Sequence, residues 1–181
     1  MQAKQYYSLL LSFLIHLMLL PIVLGEAPQG LGLASLSAVI QSQFPKIEFI
    51  TIPELLAAQK SGGAIILLDT RSKDEFDVGH LRSARWIDPE GTDLLASLNN
   101  APRTATIITY CSVGYRSASV ADHLRKSGFV NLRNLERGIF GWGNDGLPMV
   151  DSTGRTTKLV HPYNLLWGQY LDRALWSKKP L

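Results

Sequence analysis

One stretch limits the folds open to this chain more than any other. It runs Thr106-Ile107-Ile108-Thr109-Tyr110, then Cys111-Ser112-Val113-Gly114-Tyr115-Arg116, then on through Val120, Ala121 and Leu124. β-Branched residues at 106 to 109 favour an extended strand. Gly114 permits a backbone turn that a Cβ would resist. From Arg116 onward the apolar residues recur at helical spacing. A strand, a tight loop and a helix in that order put Cys111 at the carboxyl end of a strand, just before a helix N-terminus. Open α/β sheets place their ligand sites there.

Such a position favours an anion. The first N–H groups of the helix lack internal partners and point back at the loop, and the macrodipole concentrates roughly half a positive charge there. Arg116 adds a permanent charge. A thiol in this setting is expected to react as the thiolate. The main-chain groups of Ser112, Val113, Gly114 and Tyr115, with Arg116, form a cradle for a persulfide, sulfate or phosphate. Cys111 is the chain's single cysteine, and the rival reading is a buried structural thiol. The Gly-x-Arg that follows favours the reactive reading.

Residues 46–150 alternate between strand and helix patterns. Strands are expected at 47–52, 64–68, 84–87, 105–110 and 130–132. Helices are expected from a capping box at Thr51-Ile52-Pro53-Glu54 to about Ser61, near 73–78, near 92–98 and over 116–127. Gly138 to Gly143 reads as a turn region. Alternation of this kind implies a mainly parallel sheet with helices on both faces. Asp69 and Arg71 follow a strand and fall on the same rim as Cys111. Arg71 is a candidate to lie near substrate. An ion pair with Asp69, Glu75 or Asp74 that fixes the loop suits an arginine better.

Three blocks together carry a family resemblance. Cys111-x-x-Gly114-x-Arg116 resembles the active-site loop of rhodanese-like sulfurtransferases. Leu68-Asp69-Thr70-Arg71 through Glu75-Phe76 and Gly79-His80-Leu81-Arg82-Ser83-Ala84 is similar to a second signature of that family. Leu135-Glu136-Arg137-Gly138 through Trp142 is similar to a third. The resemblance implies an α/β, rhodanese-like three-layer domain over residues 46–150, with a five-stranded, mainly parallel sheet. It also implies a sulfurtransferase of the thiosulfate type. The Cys111 thiolate would take the outer sulfur of thiosulfate or a similar small anionic donor. A thiol acceptor (a small molecule or a thioredoxin-like protein), or cyanide in an assay, would discharge the persulfide. No metal and no organic cofactor is implied. The chain departs from the family pattern where Arg82-Ser83 stands for Pro-Gly and where Arg137 stands for Gly.

Two other readings compete. Cysteine-dependent phosphatases and arsenate reductases need five residues between Cys and Arg, and here there are four, a tighter fit to one extra sulfur than to a tetrahedral oxyanion. A non-catalytic rhodanese module that binds a partner or senses sulfur is the second, since fold does not dictate function. The intact Cys111 and Arg116 argue against it. His80, His123 and Trp142 read as structural or solvent-facing residues, and His80 as a hydrogen-bonding one rather than an acid or base.

The ends of the chain differ in character. Lys4 precedes an uncharged stretch whose centre, 9–24, is almost wholly apolar. Residues 1–25 read as a signal peptide or N-terminal membrane anchor, which sends the rest across a membrane and allows membrane association through residues 6–24. Residues 26–45 read as a linker and a short helix over 35–43. Residues 151–158 read as a polar linker, and 162–176 as one helix bearing an aromatic face of Tyr163, Trp167 and Tyr170. Without residues 1–25 the chain keeps 17 basic and 15 acidic residues, too even a balance for a nucleic-acid partner.

Overall fold

The computed structural model describes residues 32–88, 98 and 101–177. The expected export segment and the expected helix at 92–98, apart from Leu98, lie outside the described residues. Among the described residues no helix is long and apolar enough to cross a membrane.

The central sheet is built from β1 (Glu48–Ile50), β2 (Ile65–Asp69), β3 (Arg85–Trp86), β4 (Thr106–Tyr110) and β5 (Leu132–Leu135), in the order β1-β5-β4-β2-β3. Every pairing in it is parallel. Parallel strands need crossovers, and helices supply the described ones. Helix α1 (Leu33–Gln43) precedes β1, the crossover helices are α2 (Ile52–Lys60), α3 (Lys73–Val78) and α4 (Tyr115–Lys126), and α5 (Gly138–Asn144) follows β5. The strand at the centre, β4, is apolar on both faces. Ile108 and Tyr110 pack into one core with Ile40, Leu55 and Phe140, and Ile107 packs into another with Val120, Leu124 and Phe129. The three-layer α/β architecture follows from that double burial.

Helix starts are set locally. Thr51 and Glu54 form the expected capping box at α2, and Ser72 and Glu75 form a second at α3. The Thr51 box also shortens β1: the residue that caps the helix cannot extend the strand, so β1 ends at Ile50.

Several expectations fail at the C-terminal end. The last strand is Leu132–Leu135 rather than 130–132, with Val130 69% exposed. The glycine-rich stretch at 138 is a helix, not a turn, because Ile139, Phe140 and Trp142 are buried along it. Residues 151–158 are not a linker but belong to a hairpin in which β6 (Met149–Val150) pairs antiparallel with β7 (Thr156–Thr157). No single helix spans 162–176. The chain makes a short helix, α6 (Leu165–Gly168), then a 3-10 turn at Arg173–Leu175. It folds back so far that a Cβ on Gly168 would meet the Trp176 ring at 2.5 Å. Aromatic side chains of this segment pack on the domain: Trp167, Tyr170 and Trp176 lie against the first core.

Candidate active site

Cys111 follows β4 directly, and Gly114 caps α4 with φ 107, a left-handed conformation suited to glycine. The Gly114 N–H points at the thiol, 3.2 Å from Cys111 Sγ. Two neighbours set the loop's orientation. The first amides of α5 donate to it, Ile139 to the Cys111 carbonyl at 2.9 Å and Phe140 to the Ser112 carbonyl at 3.0 Å. In a planar trans peptide the N–H opposes the C=O, so the Ser112 and Val113 N–H groups point away from α5. Asn134, buried on β5, donates from Nδ2 to the Gly114 carbonyl at 2.8 Å, while the Thr109 hydroxyl lies 3.1 Å from its Oδ1. Close approach is essential here: a Cβ on Gly138 would sit 2.4 Å from the Cys111 carbonyl oxygen.

Arg116 reaches the site but is not idle in it. Its Nη1 donates to Glu75 Oε2 and its Nη2 to Glu75 Oε1, both at 2.8 Å, and Nη2 also meets the Ser112 hydroxyl at 2.9 Å. The Ser112 hydroxyl in turn donates to Glu75 Oε1 at 3.1 Å. Burial alone would raise the Glu75 carboxyl. The hydrogen bonds and charge of Arg116, with the charge of Arg71, outweigh that and hold it down at about 2. Burial likewise opposes the Arg116 charge, and its bonds to Glu75 more than restore it, with a further contribution from the Cys111 sulfur.

Arg71 is fully buried and is paired with Asp69. Its Nη2 lies 2.6 Å from Asp69 Oδ2 and 2.7 Å from the Gly79 carbonyl, and Nε bonds the same carboxylate at 2.9 Å. Its Nη1 has no hydrogen-bond partner. The structural reading offered by the sequence is therefore the geometry seen. Tyr115 packs edge-on against Phe44 at 5.5 Å. His80 is structural too, stacked on Phe76 with Nδ1 2.9 Å from the Phe76 carbonyl. Arg137, where the family pattern has glycine, takes φ 60 and pairs with Asp145 at 2.6 Å. Ser83 likewise keeps a left-handed φ of 66 where the pattern has glycine.

Sequence reasoning missed three members of this constellation. Glu75 was considered only as a partner for Arg71, Asn134 lay past the end of the expected strand, and Tyr163 sat in a supposed helix. The Tyr163 ring stands over the Arg116 guanidinium, 4.7 Å from centroid to Cζ. A cavity of about 380 Å³ lined by Leu56, Gln59, Ile65, Leu81, Arg82 and Trp142 contains none of the predicted site residues. Its wall includes Ile65, at the start of β2, whereas Cys111 follows the end of the neighbouring strand. Among the described residues no group of three or more His, Cys, Asp or Glu side chains is placed to hold a metal ion.

Comparison with known proteins bears on the domain as a whole. Residues 51–145 match the family described as rhodanese-like domain. Over 107 residues the chain is 31% identical to the probable adenylyltransferase/sulfurtransferase MoeZ of Mycobacterium tuberculosis, covering 59% of this chain and 27% of that protein. It is 35% identical over 86 residues to the tRNA uridine(34) hydroxylase of Staphylococcus haemolyticus, covering 44% of this chain and 26% of that one. The chain thus spans about a quarter of the length of these relatives. Among solved structures, the thiosulfate sulfurtransferase of Pseudomonas aeruginosa superposes with a TM-score of 0.56 at 17% identity, over 68% of this chain and 23% of that one. That likeness concerns the fold.

Proposed function

This chain belongs to the rhodanese-like domain family, and from that premise we propose that it is a sulfurtransferase working through a persulfide on Cys111. The single observation that supports this best is the Gly114 N–H aimed at Cys111 Sγ from 3.2 Å, in a loop locked by Glu75, Asn134 and α5. Preorganised donors at a sulfur stabilise the thiolate and the anion it becomes.

In this reading the Cys111 thiolate attacks the sulfane sulfur of thiosulfate or a similar donor. A new S–S bond forms at Cys111, the donor's S–S bond breaks, and sulfite leaves with the electron pair. A thiolate acceptor, or cyanide, then takes the outer sulfur and returns the Cys111 thiolate. The acceptor comes from outside the chain, which has no second cysteine. The N–H groups of Ser112, Val113, Gly114 and Tyr115 bind the sulfur. Arg116 acts chiefly by holding the loop through Glu75, and Arg71 by holding the rim through Asp69. Export across a membrane, guided by residues 1–25, belongs to the same proposal.

The test is direct. The protein and its Cys111→Ser variant are incubated with thiosulfate and weighed intact by mass spectrometry, and thiocyanate is assayed after adding cyanide. A one-sulfur adduct on the wild type alone, with thiocyanate formed only by the wild type, is the expected result. No adduct, or one that persists in Cys111→Ser, overturns the reading.

A further inference from the structure

The residues matched to the family end at 145, yet the chain returns to the Cys111 loop from beyond that point. Leu159 passes so near α3 that a Cβ on Gly79 would lie 2.3 Å from the Leu159 carbonyl oxygen. Val160 is fully buried and clamped from both sides, its N–H donating to the Leu175 carbonyl at 2.8 Å and its carbonyl accepting from Ser177 at 3.0 Å. His161 is buried and lies in the field of Glu75, Arg71, Asp74 and Arg116. Next but one comes Tyr163, 41% exposed, with its ring over Arg116.

Tyr163 is held where a bulky residue resists being held. Its φ is 66, in the left-handed region that side chains with a Cβ disfavour. Its N–H donates to His161 Nδ1 at 3.0 Å, which helps fix that turn. Strain that the surroundings maintain is a pointer to use. Glu75 and Ser112 hold the terminal nitrogens of Arg116, and its guanidinium carbon lies over the face of the Tyr163 ring, 4.7 Å from the centroid. Cys111 is only 1% exposed, so a reagent reaches its sulfur past the residues flanking the loop. The face of an aromatic ring carries partial negative charge. A small anion drawn toward Arg116 from that side therefore meets the ring first.

We propose that Tyr163 is a specificity-determining residue of the Cys111 site: it covers Arg116 and sets how strongly the site favours anionic over neutral sulfur compounds. The inference rests on the reading of Cys111 as a nucleophile. It assigns a role in that site to residues 159–163, which lie outside the family match.

The experiment compares alkylation of Cys111 by iodoacetate, an anion, with alkylation by iodoacetamide, its neutral counterpart. Rates are followed by intact mass in the wild type, Tyr163→Gly and Tyr163→Phe. Glycine removes the ring and also relaxes the left-handed backbone, so this variant is not strained by its own conformation. Phenylalanine keeps the ring over the cation. The iodoacetate-to-iodoacetamide rate ratio is expected to rise about three-fold or more in Tyr163→Gly and to stay at the wild-type value in Tyr163→Phe. A general loosening of the tail would speed both reagents alike and leave the ratio where it was. An unchanged ratio in Tyr163→Gly, a Tyr163→Phe variant that behaves like Tyr163→Gly, or a Cys111 inert to both reagents in all three proteins overturns the proposal. The assay uses no sulfur donor. A wild type that alkylates but accepts no sulfur from thiosulfate overturns the sulfurtransferase reading alone.

Discussion

A buried carboxylate needs partners, and Glu75 has the Ser72 N–H, the Ser112 hydroxyl and both terminal nitrogens of Arg116. Its carboxyl is held at about 2 against an ordinary 4.5. A folded value below the unfolded one means stability that is present above pH 4.5 and lost as pH falls toward 2. His161 adds an earlier loss. Burial, with the charges of Arg71 and Arg116, holds its imidazole below the usual 6.5 against the opposing pull of Glu75 and Asp74. Folding therefore favours the neutral ring, and stability declines as pH drops below 6.5. Urea titrations from pH 8 to pH 2 should show both declines, and His161→Gln should lack the first. Glu75→Gln leaves the partly buried Arg116 without its counter-charge and should cost about 2 kcal/mol, measured by urea unfolding at pH 7. Cys111 and Arg116 were legible in the sequence because their spacing is local. Glu75 was not assigned to Arg116 because the two stand 41 positions apart and only the fold joins them.

At the scale of elements, short-range chemistry was read well and long-range pairing poorly. The Thr51 capping box was visible in four consecutive residues, and Thr51→Ala should cost about 1 kcal/mol in a thermal or urea melt. The span of α3, Lys73–Val78, also agrees with the expectation. By contrast, β5 was placed two to three residues too early. Arg133 and Asn134 look wrong for a central strand, yet β5 pairs on both sides, and Asn134 is buried because Thr109 and Gly114 meet its amide. Helix α5 was taken for a turn because glycine lowers helix propensity. Its place is set by the Cys111 and Ser112 carbonyls, which receive its first amides. Gly138→Ala tests that dependence. The new Cβ would fall 2.4 Å from the Cys111 carbonyl oxygen, at a φ of 52. The variant should lose more than about 1 kcal/mol of stability and, by displacing the loop, slow Cys111 alkylation or sulfur loading.

Across residues 33–177 the described domain is a sheet between two cores, with one added layer of chain beyond the hairpin. Val160 and Leu171 from that layer are buried in the first core, so deleting residues 151–181 should lower the melting temperature and expose Cys111 to faster alkylation, both read on one preparation. The sequence by itself determined the layered α/β class, the order of the described elements from β1 to α4 and the place of Cys111 between β4 and α4. Those rest on β-branched runs, caps and a six-residue loop, all of which act between near neighbours. Tertiary structure alone decided that Arg116 faces Glu75, that Asn134 braces Gly114 and that Tyr163 closes over the arginine. Each of those depends on which buried polar group finds a partner once the strands are stacked, and no local pattern encodes that choice.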